Sequence, residues 1–184
     1  MKPLFLVSSS VRTKHGVFSA EERLNQTVQT LESIKNRMPD ARILVIESSA
    51  EASISEEESK KLAPFIEGLL NYHPDVQVQE IYKMAGGSWD IAKNFTELVV
   101  YGKVLDFIVR QQPHLLNEVN RVFKISGRYL LNDNFNLTKH IDPAMDEKYI
   151  FANRRVSQFP ALVTGGLSAQ FMSRLWSWPT PKTA

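Results

Sequence analysis

The sequence predicts an α/β protein built on a mainly parallel, doubly wound sheet with helices on both faces. Three observations carry that prediction. An apolar run occurs at 4–7, a β-branched one at 43–46 and a further strand at 121–125; amphipathic segments with capping signatures lie between them; and hydroxyl, glycine and cationic residues cluster just after them. Where strands and amphipathic helices alternate, each crossover helix must lie on a sheet face to bury its stripe.

Leu4 to Val7 forms the first run and ends in Ser8, Ser9 and Ser10. Ser19 and Glu22 have capping-box spacing, and Leu24, Val28, Leu31, Ile34 and Met38 then recur at helical steps until Pro39 and Asp40. Ile43 to Ile46 is a second continuous apolar run, as suits a strand covered on both faces. Ser55 and Glu58 cap a second helix, with Leu62, Phe65, Ile66, Leu69 and Leu70 as its stripe. Val76 to Tyr82 alternates apolar and polar residues and reads as a half-exposed strand. MAGGSWD, residues 84–90, reads as a loop, and Asn94 with Glu97 as the cap of a long helix that Pro113 closes. Beyond residue 135 only short strand-like pieces remain, with a tail bearing Trp and Pro.

A length of 184 residues suits one domain, with 1–135 as its ligand-binding part and 136–184 as a short remainder. Hydrophobic content of 43% with 23% charged residues is ordinary for a globular chain with a real core. Twenty-two Lys and Arg against 20 Asp and Glu leave a charge of +2, too little for a general nucleic-acid binder. The cysteine count of zero excludes a disulfide framework, thiolate metal sites and a cysteine nucleophile, and a cytoplasmic location is expected. The apolar run in MKPLFLVSSSVR is too short for a signal segment and far below the ~20 residues that span a bilayer, so no transmembrane segment is expected there.

In a doubly wound sheet ligands bind beyond the carboxyl ends of the strands, so the residues after each strand are the ones to question. Ser8, Ser9 and Ser10 read as a polar turn or as hydroxyl and amide donors, and Arg12 offers a planar fork for a phosphate or a base edge. Glu47 stands where a strand-end carboxylate takes ribose hydroxyls or a base N–H, or is a solvated acid. Lys93 precedes the long helix, whose first-turn amides favour an anion, whereas Glu97 is explained by the cap. In FKISGRYLLNDNF, Lys124 and Arg128 flank Ser126 and Gly127, the glycine permits a sharp turn or a close approach, and Arg128 faces a diphosphate if the strand ends at Ser126. Asp133, between Asn132 and Asn134, reads as an Asx-rich turn or as one ligand of Mg²⁺ or Mn²⁺. Motifs for a dinucleotide fingerprint, P-loop, hydrolase elbow or zinc enzyme do not occur.

The order of these motifs, an SSS first turn, ILVIESS on the second strand, a Lys-Asn-x-x-Glu helix start and then FKISGRYLLNDNF, resembles compact GT-A glycosyltransferases of cyanophages and bacterial surface-polysaccharide clusters. The likeness covers roughly residues 3–170. It implies a GT-A fold, a nucleotide-diphosphate sugar donor, habitually a UDP-hexose, and transfer of the sugar to an acceptor hydroxyl. Ser8, Ser9, Glu47 and Ser49 would then hold the nucleoside, and Lys93, Lys124, Ser126 and Arg128 the diphosphate. The chain departs from the family's Asp-x-Asp metal motif, reading Ser-Gly-Arg or Asn-Asp-Asn in its place. Two readings stay open: Asp133 as a one-carboxylate site for Mn²⁺ or Mg²⁺, or cationic side chains that neutralise the leaving diphosphate.

From Lys148 to Ala184 there is no Asp, Glu or His, which favours a retaining transfer unless Asp142, Asp146 or Glu147 reaches the site. Gly165 and Gly166 would admit a sugar close to the backbone or form a bulge, while Trp176 and Trp178 would stack on a sugar or pack a terminal segment. The rival expectations are a nucleotide-sugar-binding protein without transfer activity and an interaction module that docks a partner through residues 176–181.

Overall fold

The computed structural model describes residues 2–13, 16–152, 154–156, 169–171 and 174–180. Its strands are β1 (Leu4–Ser9), β2 (Arg42–Glu47), β3 (Gly68–Asn71), β4 (Arg121–Ser126), β5 (Ile150–Phe151), β6 (Arg154–Val156), β7 (Ala169–Phe171) and β8 (Leu175–Pro179). The helices are α1 (Ala20–Arg37), α2 (Glu56–Leu62), α3 (Val76–Met84), α4 (Trp89–Asp106) and α5 (Thr138–Ile141). Six strands form one mixed sheet in the order β3-β2-β1-β4-β8-β5, and β6 pairs with β7 in a separate antiparallel ribbon. The run from β3 to β4 is parallel throughout, and β8 then enters antiparallel to both β4 and β5. The α/β class and the mainly parallel sheet therefore stand as the sequence implied.

Alternation along the strands divides the core in two. Phe5, Val7, Ile43, Val45, Phe123 and Ile125 point to the face covered by α1 and α2, with the Phe5 and Phe123 rings stacked 4.7 Å apart. Leu4, Leu6, Leu44, Ile46 and Val122 point to the opposite face, covered by Val78 of α3 and by Val100 and Val104 of α4. Burial on both faces explains why β1 and β2 read as continuous apolar runs. Both expected capping boxes form, Ser19 with Glu22 and Ser55 with Glu58.

Three elements differ from the sequence-based expectation. The second helix ends at Leu62 and passes into a short 3-10 turn over Ala63–Phe65, and Leu69 and Leu70 belong to β3 instead. Pro64, in that turn, has no N–H to continue the α-helical ladder. Residues 76–84 are the helix α3, because the Asp75 side chain accepts the N–H groups of Gln77 (3.0 Å) and Val78 (3.2 Å) and so caps a turn. Val78 and Ile81, three apart, supply the buried face that alternation had suggested for a strand. The long helix α4 begins at Trp89, five residues before Asn94, so Lys93 lies inside the helix and Glu97 has no part in its cap.

In the C-terminal segment Trp176 and Trp178 lie on β8, and Ser177 between them is buried on the α1 side of the sheet. Trp176 stacks on Phe151 of β5 with ring centroids 5.7 Å apart. Gly165 and Gly166 lie outside the described residues.

Ser177 anchors the β4–β8 pairing from below. Its Oγ accepts Nε of the buried Arg121 at 3.0 Å and lies 2.9 Å from Nδ1 of His140. Arg121 also donates to the carbonyls of Met145 (3.0 Å) and Lys148, fixing the 142–148 loop under the N-terminal end of β4. His140 packs against Phe123 and Phe135, and its burial, with the Arg121 charge beside it, lowers its pKa from 6.5 to about 4. Between those values the unfolded chain binds the proton more readily than the folded one, so stability falls as pH drops from 6.5 towards 4. We expect His140→Phe to flatten that decline in denaturation midpoints measured from pH 7 to pH 4.5; an unchanged slope would show that other groups set it.

Candidate functional site

Strand order reverses beside β1: β2 and β3 extend to one side and β4 lies on the other. Crevices of open α/β sheets lie beyond the carboxyl ends of the strands at such a reversal. In this chain that position is formed by the residues after Ser9, Glu47 and Ser126.

The exits of β1 and β2 are tied to each other. Glu47 is fully buried, and one of its oxygens accepts the Val11 N–H at 3.1 Å and the Ser49 hydroxyl. Ser49 Oγ in turn accepts the Arg12 N–H at 2.8 Å, and Ser48 N–H donates to the Ser9 carbonyl at 3.1 Å. The other Glu47 oxygen is buried and makes no hydrogen bond. The Arg12 guanidinium turns towards α2. It grips Glu58 through two bonds of 2.7 and 2.6 Å and reaches the Ser53 carbonyl, so it ties the β1 exit to the first turn of α2. Partial burial alone would raise the Glu58 pKa, but the bonds from Arg12 and Ser55 outweigh it and hold the carboxyl below its ordinary value.

The β4 exit is packed as closely. Gly127 N–H donates to the Ser8 carbonyl at 2.8 Å. A Cβ at this position would meet Thr27 Oγ1 at 2.9 Å and the Ser8 carbonyl oxygen at 3.2 Å, so helix α1 can approach β1 and β4 only where the side chain is missing. Ser9 Oγ lies 3.3 Å from the same Thr27 hydroxyl. Ser8, Ser10 and Ser126 line this junction half-buried, and Arg128 projects from it exposed.

Cations reach the junction from both faces of the sheet. From the α1 side comes Arg23, only 6% exposed, with one hydrogen bond to the Ser10 carbonyl at 3.4 Å and a buried Nε that bonds to nothing. Gly16 makes room for it, since a Cβ there would fall 2.2 Å from Arg23 Nη2. From the α4 side comes Lys124, 3% exposed, paired with Glu97 and 5.9 Å from the centre of the Tyr101 ring. Burial lowers the Lys124 pKa, the Glu97 charge and hydrogen bond oppose that, and the charges of Lys93 and Arg128 add to the lowering. Burial also lowers the Arg23 pKa, and Arg128 reinforces it. Arg128 is thus the common electrostatic neighbour of Arg23 below the sheet and Lys124 above it. Arg174 stands next to the same turn, its carbonyl accepting Ser126 N–H at 3.1 Å and its guanidinium 4.9 Å from the Tyr129 ring centre.

Of the residues singled out in the sequence, Ser8, Ser9, Glu47, Ser49, Ser126, Gly127 and Arg128 lie at these strand exits, Lys124 lies within β4, and Lys93 of α4 is a charge neighbour of Lys124. Arg12 borders the exits but is spent on Glu58. Asp133 is not there. It is fully exposed and pairs with Arg37 in the last turn of α1, about ten residues and roughly 15 Å along that helix from Thr27. Among the described residues no group of three or more His, Asp or Glu side chains comes together to hold a metal. Arg23 is the site residue that sequence reasoning missed. Its one signal was a cation beside Leu24 on the inward stripe of α1, followed by a threonine one turn later.

No protein-family model matches this chain, and no curated protein matches it either. No helix among the described residues is long and apolar enough to cross a membrane.

The closeness of Gly127 to Thr27 is directly testable. Gly127→Ala should cost about 1–3 kcal/mol in denaturant unfolding, as overpacking usually does, and pairing it with Thr27→Ala should recover part of the loss. Full stability in the single variant would contradict the packing described.

Proposed function

We propose that the chain is a GT-A-like glycosyltransferase that takes a hexose from a nucleotide-diphosphate sugar, a UDP-sugar, and joins it to an acceptor hydroxyl. The observation that carries this reading is the exposed Arg128 directly after β4, at the reversal of strand order, with the buried cations Arg23 of α1 and Lys124 of β4 as its charge neighbours. The resemblance of FKISGRYLLNDNF to compact glycosyltransferases points the same way.

In the proposed reaction the bond from the anomeric carbon to the β-phosphate oxygen breaks and one to the acceptor oxygen forms. Negative charge builds on the departing diphosphate, and preoriented cations lower the barrier to its departure. Arg128 and Lys93 are exposed enough to touch it, while Arg23 and Lys124 act from within the walls. Asp133 stands too far along α1 to share a metal with these groups, so the proposal assigns the leaving charge to the cations and draws no step through Mn²⁺ or Mg²⁺.

A retaining course is part of the proposal, with the acceptor proton passing to the departing phosphate oxygen. The alternative bases are badly placed for it. The loop of Asp142, Asp146 and Glu147 is held by Arg121 under the start of β4, about 17 Å along the strand from Ser126. At the rim, Glu47 is buried in bonds to Val11 and Ser49, and Glu97 is paired with Lys124. The cysteine-free sequence fits the cytoplasmic location that the proposal includes.

A second reading, donor binding without transfer, is favoured by the placement of Asp133. The two separate in a screen of UDP- and GDP-sugars, with and without Mn²⁺, that reads donor affinity by calorimetry and released nucleotide by coupled assay. We expect release of UDP, a 10- to 100-fold weaker donor affinity in Arg128→Ala from loss of a charge-assisted contact, and no change in Asp133→Ala. Binding without release selects the second reading, and unaltered binding in Arg128→Ala removes both.

A further inference from the structure

Helix α4 is apolar on two opposite sides, and only one of them faces the sheet. Ala92, Thr96, Val100, Val104 and Ile108 recur at four-residue steps and are buried. Half a turn away, Ile91, Phe95, Leu98, Leu105 and Val109 are 51%, 56%, 71%, 39% and 60% exposed. With Gly102 these positions step by four, three, four, three and four residues, from the start of α4 into the π-helical turn at Phe107–Gln111. A surface helix ordinarily carries one apolar stripe, so the second is surface that folding leaves uncovered.

We propose that this outer stripe is the interface of a homodimer, in which α4 pairs with α4 of a second copy in antiparallel fashion. The spacing reads the same from either end, so a two-fold axis near residue 100 sets Ile91 on Val109, Phe95 on Leu105 and Leu98 on Gly102, each pair occurring twice. This is the isologous arrangement that closed dimers adopt. Leu98, the most exposed of the five, lands where a Cβ on Gly102 would meet nothing within 4 Å, so a large residue fills an open place.

The area agrees with what a stable pair needs. At about 200 Å² for a fully exposed large apolar side chain, the stripe offers roughly 550 Å². Val76 and Met84 on the adjoining α3, 69% and 77% exposed, bring this to roughly 850 Å², against the ~800 Å² per partner of a standard interface. Both signs of charge border the stripe, and the same axis sets Asp90 of one copy opposite Arg110 of the other. Two copies therefore meet without net repulsion, whereas a helix that lies on lipid carries a basic polar face. Lys93 and Glu97 turn inward towards Lys124, away from the stripe.

Sedimentation equilibrium of the full chain at tens of micromolar should give twice the 21.0 kDa chain mass. Leu98→Glu and Phe95→Glu should each return it to a single chain with an unchanged far-ultraviolet spectrum. Because the sequence has no cysteine, Leu98→Cys/Gly102→Cys should oxidise to a covalent dimer, a readout that does not depend on how the glutamate variants fold. A monomeric wild type that forms no cross-link overturns the proposal. So does a dimer that survives Leu98→Glu, or a monomer that floats with phospholipid vesicles.

Discussion

A single buried carboxylate organises the upper edge of this sheet. Glu47 is enclosed at the end of β2, and it stays there because the Val11 amide and the Ser49 hydroxyl bond to it and the Arg23 charge lies within reach. A polar group taken out of water is tolerated only with such partners. The consequence is geometric, since the chain leaving β1 and the chain leaving β2 must follow fixed paths around the same oxygen. Arg12 then extends that order to α2 through Glu58, and the hydroxyls of Ser9 and Thr27 extend it to α1. The cations at the crevice are therefore mounted on an edge whose backbone has little freedom.

Two kinds of buried and half-buried polar residue stand along that edge. Arg12 and Glu58 satisfy each other, and Arg42 with Glu67 and Lys103 with Asp75 do the same elsewhere. Arg23 and Lys124 are different, because their walls remove them from water while their partners only partly compensate, and the proton affinity of each falls. Gathering like charges costs free energy, and an anion placed among such charges relieves it.

Much of this was legible in the sequence, and the failures have physical causes. Continuous apolar runs located β1 and β2, and both capping boxes located helix starts, because these signals are local. Residues 76–84 misled because V-Q-V-Q-E-I-Y satisfies a period of two and a period near three at once, and only the Asp75 cap decides between them. The start of α4 was missed because Ser88 makes no side-chain cap, while Asn94 and Glu97 imitate one. At the site, residue types identified Lys124 and Arg128. Sequence could not show that Arg12 would be consumed by Glu58 or that Asp133 would turn to Arg37, since both partners lie more than forty positions away. β8 was unreadable for the same reason, as its pairing with β4 joins segments some fifty residues apart.

The position of β8 bears on how the chain is made. This strand comes late in the sequence yet lies inside the sheet, with β5, formed some twenty-five residues earlier, beyond it. While a ribosome is still adding residues after β5, that segment has no neighbour to pair with, and the outer edge of β4 stands open. The nascent protein must carry an unsatisfied strand border until Leu175–Pro179 clears the exit tunnel and slots between them. Long-range insertion of this kind is slow and leaves the growing chain exposed to wrong pairings, so assembly of the last third proceeds against the order of translation.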